Sequence, residues 1–133
     1  MENSVSKQHF KNLLSIAYAD GILDKAELDY IFEKSGKYYI SSEDIDGILN
    51  NSIHPTTILV EDTELRAQMM FELIEMMRLD SEIHDTQLRY CSIFGVSMGY
   101  CDSKIEALVL STVNMLEEGS ETNNVLTHIQ SFH

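Results

Sequence analysis

Helical periodicity runs through nearly the whole chain, and it limits the possible folds more than any other feature. From Val5 to Ala19, the residues Phe10, Leu13, Leu14, Ala17 and Tyr18 recur every three or four positions and mark one apolar helix face. Asp24 and Glu27 form the sequence signature of a capping box, which predicts a second helix to about Lys34 with Leu28, Ile31 and Phe32 on its apolar face. Ser35-Gly36 is expected to break that helix. Ser41 opens a third helix with Ile45, Ile48 and Leu49, and the single Pro55 ends helical pattern around His54. Thr56 to Val60 reads equally as an extended connector or as a first helical turn. Asp62 to Leu79 is apolar around much of its circumference, so it is expected to be the central helix. Its methionines Met69, Met70, Met76 and Met77 read as adaptable core filling. Further helices are predicted from His84 to Met98 and from a Ser103–Glu106 capping box to Glu118-Gly119. A short one in the tail would carry Val125, Leu126 and Ile129. No segment alternates with the period of a strand. The expected fold is all-α, a compact bundle of about six or seven helices forming a single domain over residues 1–133.

Composition bounds the function classes. Of the 133 residues, 22 are Asp or Glu and 9 are Lys or Arg, giving a formal net charge of −13. Phosphate backbones and anionic bilayers both attract clustered cations, so this balance excludes nucleic acid and membrane surfaces as partners and favours a basic protein or a divalent cation. From Ser41 to Leu65 there is no Lys or Arg, whereas Glu43, Asp44, Asp46, Glu61, Asp62 and Glu64 all fall there, as expected for a solvated acidic surface. The uninterrupted apolar runs are too short for membrane insertion, and the first ten residues have no signal-peptide shape. Cys91 and Cys101 read as reduced thiols, Cys91 on an apolar helix face. The cytoplasm is the expected compartment.

One pattern occurs twice. Residues 19–28 match residues 79–88 at a constant offset of 60, pairing Asp20 with Asp80, Leu23 with Ile83, Glu27 with Gln87 and Tyr30 with Tyr90. The economical explanation is an internal helix–loop–helix duplication. The Asp-Gly-x-x-Asp-x-x-Glu loop copies half of an EF-hand. With Gly21 at loop position 6, however, positions 1 and 3 fall on Ile16 and Tyr18, which carry no carboxylate, and the second copy fails in the same way. Asp20 and Asp80 sit where the helix dipole disfavours an anion by ~0.3–1 kcal/mol, so each needs a local reason. Either they cap their own loops as Asx-turns, or they help to hold a cation. For the cation, the candidate ligands are Asp20, Asp24, Glu27, Asp80 and Asp85, with His84 suited to a transition metal.

The Ala19-Asp20-Gly21, Asp24 and Glu27 motif between two helices, echoed in a second hairpin, resembles the TerB-like domain. This is the all-α fold of tellurite-resistance protein TerB and of a module in DjlA-type co-chaperones. The resemblance spans roughly Val5 to Leu116. It implies a seven-helix-type bundle with a divalent-metal (Ca, Mn or Zn) or stress-response role. In the second copy only Asp80 keeps the acidic pattern, with Ser81, His84 and Gln87 replacing Gly, Asp and Glu. No J-domain signature accompanies the motif.

Most catalytic templates find no match. The chain has no Cys-x-x-Cys, His-Glu-x-x-His, Glu-x-x-His or Walker loop, and its Gly-x-Ser-x-Gly, at Gly95, Ser97 and Gly99, lies in a helical pattern without the preceding strand that the nucleophile motif needs. The expected function is therefore a non-catalytic binding module of TerB-like type, holding a divalent metal or serving a stress response. The alternative is an acidic adaptor for a basic protein partner, in which the Asp loops are only helix caps.

Overall fold

A computed structural model of the chain describes residues 3–19, 24–50, 58–79 and 83–132. Seven helices and no strand form among the described residues: α1 (Asn3–Ala17), α2 (Lys25–Lys37), α3 (Ser42–Asn50), α4 (Thr63–Arg78), α5 (Asp85–Met98), α6 (Ile105–Glu117) and α7 (Thr122–Gln130). None is long and apolar enough to cross a membrane.

Helix α4 is the axis of the bundle and packs against α1, α5, α6 and α7. Asp62 starts it by accepting the backbone N–H groups of Glu64 and Leu65 at 3.0 and 3.2 Å, which satisfies donors that a first helical turn leaves open. Nine of its sixteen residues are buried, including Met69, Met70, Met76 and Met77. The methionines are core, as their spacing predicts. Helix α1 is buried on more than one side, because Ser6, His9, Asn12 and Ser15 are inaccessible together with Phe10, Leu13, Leu14 and Ala17. Helix α7 is more than a tail: Val125 and Ile129 are fully buried and the helix lies against α4.

Several expectations are corrected. Helix α2 continues through Ser35-Gly36 to Lys37, where the Ser35 hydroxyl donates to the Phe32 carbonyl at 2.7 Å. Its buried positions are Glu27, Ile31 and Ser35, whereas Leu28 is 36% and Phe32 57% exposed. The inward stripe follows i, i+4, i+8 and is shifted by one residue from the most apolar stripe. The Ser103–Glu106 capping box does not form: α6 begins at Ile105 with Lys104 as its N-cap, and the Ser103 hydroxyl lies 3.1 Å from the Cys101 thiol. Residues 58–60, open in the sequence between a connector and a helical turn, are not helical, and Thr56 and Thr57 lie outside the described residues. The 58–60 segment is tied to the end of α5 by a bond from the Val60 N–H to the Met98 carbonyl at 3.1 Å.

Three helices end in the same way. After α2, α5 and α6, the chain enters the left-handed region at Tyr39, Gly99 and Gly119. The next N–H reaches back to close a Schellman motif, from Ile40 to Ser35, from Tyr100 to Gly95 and from Ser120 to Met115. Gly95 has a second role, since a Cβ there would lie 2.4 Å from the Ile105 side chain. The missing side chain is what lets α5 and α6 approach.

Candidate functional site

The two repeated junctions are built as reciprocal caps. At the first, the Asp24 carboxylate accepts the Glu27 N–H at 2.9 Å, and the Glu27 carboxylate accepts the Asp24 N–H at 3.1 Å. Glu27 is fully buried there. At the second, the Gln87 amide oxygen accepts the His84 N–H at 3.1 Å. Gln87 is also fully buried, and its amide nitrogen donates to the Ile16 carbonyl at 3.4 Å. Ile16 lies in the last turn of α1, and its carbonyl also accepts the Ala19 N–H at 3.2 Å. Gln87 can donate to it, whereas an ionised glutamate at this position has no hydrogen to give.

Of the candidate metal ligands, Asp24 and Glu27 are therefore engaged with each other's backbone, and Asp24, His84 and Asp85 are exposed. Asp20 and Asp80 lie outside the described residues. Among the described residues, no three His, Cys, Asp or Glu side chains gather closely enough to hold an ion.

The structure assembles a different polar cluster, between α1, α2 and α4. Glu72 is 1% exposed in the middle of the most apolar helix. Its carboxylate lies 2.8 Å from His9 Nε2, accepts the Tyr38 hydroxyl at 2.7 Å and is bonded to the Lys37 ammonium, with Lys34 Nζ at 3.7 Å. Burial alone would raise its pKa. The hydrogen bond and charge of His9, joined by the hydrogen bonds of Lys37 and Tyr38, outweigh burial and hold the carboxyl at about 2. The ring of His9 meets that of Tyr38 edge to face, and its Nδ1 is buried without a partner among the described residues. Beside the cluster, the Tyr30 hydroxyl donates to Glu75 at 2.7 Å. Burial, and then the neighbouring carboxylates, push both the Tyr30 and Tyr38 phenols well above the usual range. The sequence carried one sign of this cluster: Glu72 stands between Phe71 and Leu73 on a helix with little polar face.

Two cavities flank the cluster, and each is lined by one of its lysines. One, of about 450 Å³, lies between α2 and α4 and is lined by Tyr30, Glu33, Lys34, Phe71, Glu75, Arg78 and Leu79. Its two anions balance its two cations. The other, of about 410 Å³, has Val5, Leu59, Val60, Leu65 and Met69 as apolar lining, Lys37 and Tyr38 at the cluster side, and Glu61 and Asp62 from the segment free of Lys and Arg.

The remaining reactive groups are placed apart from these. Cys91 is fully buried, its thiol pushed up by burial and 3.6 Å from the Leu73 carbonyl. Cys101 is partly exposed, and its thiol is drawn below the usual range by the Ser103 hydroxyl. His128 lies 2.7 Å from the Ser111 hydroxyl and joins α6 to α7. His54 and His133 lie outside the described residues. No family model matches the chain, and neither any curated protein nor any solved structure matches it.

Proposed function

We propose that the chain is a non-catalytic, TerB-like binding module that acts as an acidic adaptor for a basic protein partner. One observation carries this choice over the metal reading. The carboxylates of the repeated motif within the described residues, Asp24 and Glu27, serve as helix caps, while Glu43, Asp46, Glu61 and Glu64 face solvent from a stretch without Lys or Arg. Carboxylates that terminate a helix are held by local geometry. Solvated carboxylates without nearby cations set up a field that steers and orients a basic surface.

The test is affinity capture of a partner from native cytosol at low salt, with release as ionic strength rises. At 1 M salt the Debye length falls to about 3 Å, so a contact made by exposed charges is lost. Capture that fails at low salt, or that survives high salt unchanged, contradicts the adaptor. Calorimetry with Ca²⁺, Mn²⁺ and Zn²⁺ is the complementary test. Saturable binding that raises the melting temperature, is reversed by EDTA and vanishes in the Asp20→Asn, Asp80→Asn double variant would replace the adaptor with a metal module.

A further inference from the structure

We infer that the cavity between residues 58–62, α1 and the first half of α4 seats an apolar side chain carried on a basic segment of the partner. The inference rests on the adaptor reading and gives it a location.

Three observations converge on this cavity. The first is a misplaced leucine. In the 58–60 segment, Ile58 and Val60 are 7% and 4% exposed, but the alternation of side chains turns Leu59 outward, and it is 64% exposed at the cavity. An apolar occupant would remove it from water together with the exposed part of Leu65.

The second is preorganisation. The segment that forms this wall is fixed by the Val60–Met98 backbone bond, by the Ser97 hydroxyl on the Ile58 carbonyl at 3.4 Å, and by Arg66 Nη1 on the Val60 carbonyl at 3.4 Å. A cavity that stands ready without its occupant spares the partner the cost of ordering it.

The third is charge. Lys37, the cation of the lining, is already bonded to Glu72, and Asp62 caps α4, so the open charge at the rim is Glu61. With a chain charge of −13 behind it, Glu61 favours Lys or Arg flanking the anchor and disfavours an acidic ligand. The neighbouring cavity balances Glu33 and Glu75 against Lys34 and Arg78, and so has no preference of this kind.

The test uses the intact protein and a short amphipathic peptide of leucine and lysine, with a leucine–glutamate peptide as its counterpart. Fluorescence anisotropy should show that the lysine peptide binds and the glutamate peptide does not. Leu59→Ser and Glu61→Lys, both at exposed positions, should each weaken binding about tenfold or more, which is about 1.4 kcal/mol. Leu110→Ser, an exposed apolar site on α6, should leave affinity unchanged. Amide chemical shifts should move at Leu59, Leu65 and Met69. Binding that ignores Leu59→Ser and Glu61→Lys, or that moves the shifts around Phe32 instead, overturns the cavity and leaves the adaptor standing. Absence of lysine-peptide binding anywhere on the protein overturns both. Concentration-dependent self-association that Leu59→Ser abolishes, with no peptide binding, assigns the face to a second copy and also overturns the proposal.

Discussion

The hairpins α1–α2 and α4–α5 solve the same backbone problems with different side chains. Helices α2 and α5 begin 60 residues apart, each with a residue at the third position reaching back to its N-cap. The left-handed residues that follow them, Tyr39 and Gly99, are also 60 residues apart. The first hairpin uses an acid and an exposed aromatic. The second uses an amide and a glycine. The difference follows the surroundings. Gln87 donates to Ile16, and a Cβ on Gly99 would meet the Arg66 guanidinium at 2.5 Å, whereas Tyr39 projects into solvent at 79% exposure. Equivalent backbone positions thus take their chemistry from what packs against them.

The largest test of this asymmetry is the Glu72 cluster, which binds the first hairpin to α4 through His9, Lys37 and Tyr38. Glu72→Ala should cost about 3–5 kcal/mol in urea unfolding, because it strands buried partners of a lost charge. The pH dependence has a definite sign. The folded carboxyl titrates at about 2, below the usual carboxylate range of roughly 4 to 4.5 in an unfolded chain, so its contribution is complete above that range. It is lost as pH falls from about 5 toward 2. Glu72→Gln should remove that acid-dependent component, and an unaltered acid slope in the variant would contradict the depressed pKa.

An exchange of the cap residues sharpens the comparison. Gln87→Glu places a buried carboxylate against the Ile16 carbonyl and should cost about 1–3 kcal/mol at neutral pH. Glu27→Gln keeps an acceptor oxygen at the cap and forfeits mainly the favourable charge at a helix N-terminus, about 0.3–1 kcal/mol. Equal losses in chemical denaturation would show that the two caps are interchangeable after all.

The smallest effect is expected at the helix ends. A left-handed tyrosine is strained, so Tyr39→Gly should raise stability by up to about 1 kcal/mol. Gly99→Ala should lower it by about 1–2 kcal/mol through backbone strain and the approach to Arg66. Both shifts can be read as displaced urea midpoints. If Tyr39→Gly also weakens partner capture, the exposed ring belongs to the binding surface.

Much of this architecture was legible in the residues. The periods of α1, α4 and α5, the Asp24–Glu27 box and the methionine core are local or stripe-like features, and local spacing specifies them. The expectations that failed were those in which tertiary packing opposed the local pattern. Leu28 and Phe32 form the more apolar stripe of α2, yet Glu27, Ile31 and Ser35 face inward, because the helix is docked by its buried cap and by the Tyr38 and Lys37 contacts to Glu72. Ser35-Gly36 looks like a break, but the Schellman bond from Ile40 to Ser35 carries α2 past it. For the candidate site, spacing identified the caps and the acidic stretch. It did not identify the Glu72 cluster, whose members come from positions 9, 34, 37, 38 and 72, or the cavity beside it.

By itself, then, the sequence determined that the chain is helical, where most helices begin, and that its charge is strongly acidic. These properties depend on residues within a few positions of one another or on simple sums. Only the tertiary structure decided which carboxylate is buried, which leucine is left in water and which acidic residues border a cavity. Those outcomes depend on distances between segments far apart in the chain, and such distances are set by the packing of α1, α2 and the 58–62 segment around α4.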